Sequence, residues 1–90
     1  MKIHDETKPT KRNTLSLSEA RKLAAKDDAN WCIVPQGADL TVGRLVLGED
    51  LRVVKIRGRT GAPLRFPTLM EARRFVKREL GIARTTLMPM

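Results

Sequence analysis

The 90-residue chain contains few of the side chains that enzymes and metal-binding proteins use. Its only histidine is His4, its only cysteine is Cys32, and no cluster of carboxylates occurs at ligand spacing. These absences leave no positioned base, nucleophile, metal site or cofactor site, so the sequence predicts a protein without enzymatic activity. A single cysteine cannot form a disulfide within the chain, which favours a reducing compartment, and we therefore expect a cytoplasmic protein.

Long apolar segments and aromatic residues are scarce as well. No apolar run exceeds a few positions, 45-LVL-47 being typical, so we expect neither a membrane span nor a secretory signal. The three aromatic residues, Trp31, Phe66 and Phe75, are better placed for a core than for an exposed surface. Because RNA-binding proteins commonly stack bases on exposed aromatic rings, this scarcity disfavours RNA as a ligand.

Basic residues are abundant and unevenly distributed. The chain carries 18 Lys and Arg against 10 Asp and Glu. Residues 1–43 hold seven basic and six acidic side chains, whereas residues 44–90 hold eleven and four, and nine of those eleven are arginine. Arginine binds phosphate and carboxylate groups in a bidentate manner. Such a charge distribution favours nucleic acid over an anionic membrane or an acidic protein, and a surface that only maintains solubility is the alternative.

Hydrophobic periodicity predicts a single domain between two irregular ends. Residues 1–14 have no apolar period and finish with basic residues, so they are expected to form a disordered basic arm. Residues 83–90 also lack a period and are expected to form a loose tail. The domain is therefore predicted to span residues 15–82, a length that permits one core of modest size.

Two capping boxes mark the predicted helices. In 16-SLSE-19 and in 68-TLME-71, a hydroxyl residue precedes a glutamate by three positions, so each side chain can bond the other residue's backbone N–H. The second helix should end at Gly81, which tolerates the left-handed conformation, with Ile82 folding back on the last turn. The domain is thus expected to begin and end with a helix.

Four short segments between these helices are predicted to be strands. They are residues 31–34, which Pro35 should end, and residues 40–47, 51–57 and 64–66. Turn residues separate the last three at spacings that suit antiparallel hairpins. The predicted fold class is α+β: a small antiparallel sheet of three to four strands flanked by an N-terminal and a C-terminal helix, in the order α-β-β-β-β-α.

Alternation along the strands predicts one apolar face, packed against the second helix, and one basic face. The residues assigned to the apolar face are Leu45, Leu47, Val54, Ile56, Leu64 and Phe66. The opposite face receives Val46, Val53 and the basic residues of the strands, and the turn at 58–63 is expected to project Arg57 and Arg59 into solvent. The outward side of the second helix adds four cations. The candidate nucleic-acid-binding residues are Arg44, Lys55, Arg57, Arg59, Arg65, Arg73, Arg74, Lys77 and Arg78.

The segment 56-IRGRTGAPLRFPTLMEARRFV-76 resembles the arm-type DNA-binding domains of tyrosine recombinases. Both have three antiparallel strands, a basic turn with glycine, and a phenylalanine just before one capped helix; the resemblance covers residues 40–84. It implies a sheet that enters the major groove. The chain departs from the pattern by a helix and Trp31 before the sheet and by the lack of a catalytic domain after it, which implies an accessory protein.

The sequence therefore predicts a small DNA-binding accessory or regulatory protein that contacts phosphates through a basic hairpin and the second helix. Duplex DNA is favoured over RNA. The alternative is a protein-interaction module whose basic face binds an acidic partner. Salt separates the two, because binding through several phosphates weakens linearly on a log-log salt plot. An open sheet edge and an apolar outer patch around Val46, Val53 and Trp31 also predict a homodimer.

Overall fold

The computed structural model describes residues 14–46 and 52–88, and this part of the chain contains two helices and five strands. The helices are α1, Leu17–Lys26, and α2, Leu69–Phe75, which continues as the π-helical turn Val76–Leu80. The strands are β1 Thr14–Leu15, β2 Trp31–Gln36, β3 Asp39–Val46, β4 Arg52–Ile56 and β5 Thr86–Leu87. The predicted arm, residues 1–14, lies outside the described residues except for Thr14.

The five strands form one mixed sheet in the order β1-β4-β3-β2-β5. β2, β3 and β4 are antiparallel neighbours as predicted, but β1 pairs with β4 and β5 pairs with β2 in parallel. The α+β class is confirmed, whereas the sheet differs from the expected antiparallel one. Both parallel strands have two residues, which is too short for the alternation that identifies a strand in a sequence. One of them, β5, lies in the segment that the sequence assigns to a loose tail.

Residues 64–66 form an isolated pairing and not the predicted strand. Phe66 exchanges two backbone hydrogen bonds with Leu40, of 2.8 and 2.9 Å, and the Leu64 N–H donates to the Ile56 carbonyl at 2.9 Å. A proline flanks the segment on each side and has no N–H to donate. This stretch of the chain therefore makes two isolated bridges, Phe66 with Leu40 and Pro63 with Arg57, in place of a continuous ladder.

Pro35 lies inside β2, although the sequence predicts that it ends this strand. It opposes Leu40 of β3, whose backbone N–H and carbonyl both bond to Phe66 on the other side. The pair therefore needs no N–H from the proline, and β2 continues to Gln36.

Both helices begin at the predicted capping residues. The Ser16 hydroxyl accepts from the Glu19 N–H at 3.1 Å, and the Glu19 carboxylate accepts from the Ser16 N–H at 2.8 Å. At α2, Thr68 Oγ1 accepts from the Glu71 N–H at 3.2 Å. Gly81 follows the last turn of α2 with φ of 72°, in the left-handed conformation that was predicted.

One core holds both helices against the same face of the sheet. Its residues are Ala20, Ala24, Trp31, Ile33, Val42, Ile56, Ala72, Phe75, Val76, Leu80 and Ile82. Small alanines on the inner sides of α1 and α2 allow the helices to lie close to the strands. Ile82 returns to this core directly after Gly81, as the predicted turn requires.

The register of β3 and β4 corrects the predicted division into an apolar and a basic face. Arg44 pairs with Val54 and Leu45 pairs with Val53, and residues that pair share a face. Arg44 therefore lies on the helix-covered side, and Leu45 lies on the other. A difference of one residue in register exchanges the two faces of a strand. Residues 47–51, between β3 and β4, lie outside the described residues.

The sheet face opposite the helices is apolar where a basic face was expected. Its buried residues include Cys32, Val34 and Thr41, each at most 2% exposed. Trp31 pairs with Arg44, and Val46 pairs with Arg52, so both lie on the helix-covered side. The homodimer prediction depends on an outer apolar patch of Val46, Val53 and Trp31, and of these only Val53 lies on the outer face. The homodimer stays a prediction.

Candidate nucleic-acid interface

Arg44 is bound at the C-terminus of α1. Its Nη2 lies 3.1 Å from Asp27 Oδ2, and 21% of the Arg44 side chain is exposed. Asp27 caps α1, and a carboxylate at a helix C-terminus is unfavourable unless a cation neutralises it. Arg44 therefore contributes to the fold, and its charge is already matched within the domain.

Arg57 joins β1 and the start of α1 to the end of β4. Its Nη1 donates to the Thr14 carbonyl at 3.4 Å and the Thr14 hydroxyl at 3.2 Å, and lies 3.8 Å from Glu19 Oε1. The prediction that the turn projects Arg57 into solvent is wrong, since 24% of its side chain is exposed. The reason is β1, a strand that pairs beside Arg57 and has no signature in the sequence.

The other cations of the sheet and its turn differ in their surroundings. Lys55 Nζ donates to Gln36 Oε1 at 2.7 Å across the outer sheet face. Arg65 is 55% exposed, with its Nη1 3.6 Å from Asp39 Oδ2. Arg59 is exposed in the turn and has no ion pair with any described residue. Of the five candidates in this region, Arg59 is therefore the most available to an external anion.

The cations of α2 are the largest group that the fold leaves without acidic partners. Arg73, Arg74 and Lys77 are exposed, and no carboxylate of the described residues lies within 4.0 Å of their charged groups. Arg78 differs, because its Nε donates to Glu79 Oε2 at 3.0 Å. Hydrogen bonds from Arg21 and from Arg78 lower the pKa of the Glu79 carboxyl, which stays charged between the two helices.

Helical geometry places these side chains on one stripe. In the α-helical part, at about 100° per residue, Met70 and Arg74 point away from the core and Arg73 lies to one side of them. Lys77 and Arg78, on the π-helical turn, are exposed beside Arg74. Met70 is 62% exposed, the largest exposure of any large apolar side chain among the described residues. A groove of about 470 Å³ runs beside the stripe, lined by Leu69, Met70, Arg73, Arg74, Lys77 and Ala83.

Arg84 extends this stripe, and the sequence did not identify it as a candidate. It follows α2 and lines, with Arg73, a polar cleft of about 620 Å³ whose other walls include Asp28, Asn30 and Thr85. Arg84 was assigned to a loose tail, but the short strand β5 fixes the segment that carries it. The β-branched pair Thr85-Thr86 before Leu87 is the one local signal that could have indicated a strand there.

The structure divides the nine candidates into separate groups and does not join them in one surface. Arg59 lines a hollow with Ser16, Leu17 and Phe75. Phe75 lies about 160° from Arg73 around α2, so this hollow is on the far side of the helix from the groove. The continuous surface of cations without an acidic partner among the described residues therefore consists of Arg73, Arg74, Lys77 and Arg84; we call it the α2 surface. Arg78 adjoins Arg74 and Lys77 but is paired with Glu79.

Among the described residues, side chains that could hold a metal or act as a nucleophile are few and separated. These residues contain no group of three or more His, Cys, Asp or Glu side chains that could hold a metal ion. Cys32 is buried in β2, where desolvation raises the pKa of its thiol and keeps the nucleophilic thiolate scarce. The exposed groups on and beside α2 are cations, carboxylates and hydroxyls, together with the thioether of Met70.

Comparison with known proteins adds no relative. No protein family, no curated protein and no solved structure matches the chain. Within residues 14–46 and 52–88, neither helix has the length and apolar character to cross a membrane.

Proposed function

We propose that the protein binds duplex DNA through the α2 surface, as a small accessory or regulatory protein without enzymatic activity. One observation carries the proposal: Arg73, Arg74 and Lys77 share an exposed helix side with no described carboxylate within 4.0 Å. Cations that no internal acid neutralises can replace the counterions of DNA, and the release of those counterions drives binding. Arg84 adds a further cation beside Arg73.

The aromatic residues support a duplex over a single strand or RNA. Trp31 and Phe75 are 2% and 8% exposed, and the Phe66 ring packs against Phe75 at a centroid distance of 5.0 Å. Single-stranded nucleic acids are bound largely by stacking bases on exposed rings. This protein has no free ring for that purpose among the described residues, whereas phosphates of a duplex need only the cations.

The helix is a better binding surface than the sheet because its unpaired cations would lose fewer interactions within the domain on binding. To bind phosphates, Arg44 and Arg57 would have to break ion pairs and hydrogen bonds within the domain. Arg73, Arg74 and Lys77 would exchange only water and mobile ions for phosphates. The resemblance to arm-type domains implies recognition by the sheet. The interactions that Arg44 and Arg57 already make within the domain favour α2 instead.

The proposal is tested by titrating a labelled mixed-sequence duplex, its single strand and the matching RNA at several salt concentrations. Arg73→Ala with Lys77→Ala should reduce the slope of log affinity against log salt by about two for the duplex. The matched control is Lys22→Ala with Lys26→Ala, which removes the same charge at the same spacing from α1. These lysines lie about 100° and 140° around α1 from Arg21, the residue that meets α2 through Glu79.

The control should keep the wild-type slope, and the duplex should bind more tightly than the single strand or RNA. Equal reductions of the salt slope in both double variants would show that the effect comes from net charge alone, and would contradict binding through the α2 surface. Absence of duplex binding at low salt would contradict the proposal altogether.

An acidic protein partner is the second candidate, favoured by the apolar part of the same surface. Met70 is 62% exposed beside Leu69 and Ala83 in the groove, and an apolar floor with a basic rim suits an acidic amphipathic segment. Binding of this kind would depend on Met70 at every salt concentration, whereas contacts to phosphates alone would not.

A further inference from the structure

We infer that α2 enters the major groove of the duplex, with Met70 and Arg74 against base edges and Arg73, Lys77 and Arg84 on flanking phosphates. The inference rests on the proposed function and adds to it the groove, the orientation and the residues that read sequence. It replaces recognition by the sheet with recognition by a helix.

The N-terminal half of α2 is free to enter a groove. α1 packs mainly against the π-helical turn Val76–Leu80, to which Arg21 also bonds through Glu79. Within this half, Met70, Arg73 and Arg74 are exposed. A helix with its side chains is about 10–12 Å wide, which fits the major groove of about 12 Å but not the minor groove of about 6 Å.

The chemistry of the outward side suits base edges at its centre and phosphates on one flank. Arginine binds guanine O6 and N7 in a bidentate manner, and an apolar side chain contacts the 5-methyl group of thymine. Arg74 and Met70 occupy the centre, about 40° apart around the helix. Arg73 and Arg84 lie together on one flank, while Glu71, the acid of this half, lies about 160° from Arg73. The helix therefore has one flank that favours phosphates, which fixes its orientation in the groove.

The inference is tested with two pairs of short duplexes, and the two members of each pair differ only at one major-groove position. They are alternating G·C, the same duplex with 7-deazaguanine, alternating A·T, and the same duplex with uracil in place of thymine. At constant salt, loss of guanine N7 should weaken wild-type binding by at least about fivefold, and loss of the thymine methyl by a smaller factor. Arg74→Ala should bind both G·C duplexes equally, and Met70→Ala both A·T duplexes equally.

Arg73→Ala is the matched control, since its side chain is assigned to phosphates. It should weaken binding to all four duplexes alike and retain the sensitivity to both base changes. Wild-type protein that binds modified and unmodified duplexes equally would overturn the inference and leave the proposed function intact. Failure of wild-type protein to bind any of the four at low salt would overturn both. Thermal unfolding of each variant shows whether the fold is retained.

Discussion

Three arginines of the sheet region and the unpaired cations of α2 carry the same charge in opposite surroundings. Arg44, Arg57 and Arg65 each lie within 4.0 Å of a carboxylate that another part of the chain supplies. Arg73 and Lys77 have no such neighbour among the described residues. A cation matched inside the domain holds the domain together, whereas an unmatched one is available to an external anion. The positions of the acids, more than the abundance of arginine, therefore locate the proposed binding surface.

The largest effect is expected from a change that disturbs the sheet beside Arg44. In Gly43→Ala the new Cβ would lie 2.4 Å from Val53 Cγ1 and 2.9 Å from the Val54 carbonyl oxygen. β3 and β4 would have to separate, so we expect a loss of about 2–3 kcal/mol in the free energy of unfolding, measured with urea. This variant tests whether the sheet cations depend on a tightly built sheet.

Gly58→Ala is the control for that experiment. Its Cβ would meet the end of the Leu64 side chain at 3.1 Å, and a side chain can move where a backbone cannot. We expect a loss below about 1 kcal/mol. If Gly43→Ala proved as stable as wild type, the close approach of β3 and β4 would be contradicted, together with the position of Arg44 that follows from it.

A smaller effect should separate one arginine of each region. Arg44→Ala removes the cation that neutralises Asp27 at the end of α1 and the side-chain stem that lies between Trp31 and Val54, so we expect a loss of about 1 kcal/mol. Arg74→Ala should change stability by no more than about 0.5 kcal/mol. Urea unfolding of both variants gives the comparison, and equal effects would mean that the two regions do not differ as described.

The smallest effect is expected at Glu79, where α1 and α2 meet. A carboxyl whose pKa is lower in the folded state stabilises the fold above its unfolded pKa, and this contribution disappears as the pH falls through the folded pKa. Wild type should therefore be slightly more stable than Glu79→Gln at neutral pH, and the difference should vanish in acid below the ordinary range of a glutamate. Urea unfolding at several pH values measures it.

Glu79→Gln should also release Arg78 toward the α2 surface. We expect duplex affinity to rise and the salt slope to steepen by up to about one. Glu71→Gln removes the same charge from the same helix without releasing a described ion pair, and it should produce a smaller gain. Identical gains would show that net charge, and not the release of Arg78, is responsible.

The parts of the fold that could be predicted have local signatures. Ser16 and Thr68 identified both helix starts, Gly81 identified the end of α2, and alternation placed β3 within one residue of its observed bounds. β1 has no local signature and β5 has only the β-branched pair Thr85-Thr86, since two residues show no period and their parallel pairing joins distant segments. The register of β3 and β4 depends on a hairpin tip that periodicity does not define.

The candidate site shows the same limit. The stripe on α2 follows from spacing within one helix, so its cations could be predicted. Whether a cation is matched depends on contacts across the chain: Asp27 lies 17 positions from Arg44, and Thr14 lies 43 positions from Arg57. Arg84 was missed because β5, which fixes its segment, could not be predicted either.

The most direct test of the central claim compares the salt dependence of duplex binding in two double variants. Arg73→Ala with Lys77→Ala should lower the slope of log affinity against log salt by about two, because both cations are unmatched and meet phosphates. Arg57→Ala with Arg59→Ala should lower it by no more than about one, because Arg57 is bound to Thr14 and Glu19. A larger reduction in the hairpin variant than in the helix variant, with both proteins folded by urea unfolding, would contradict the claim that α2 is the DNA-binding surface.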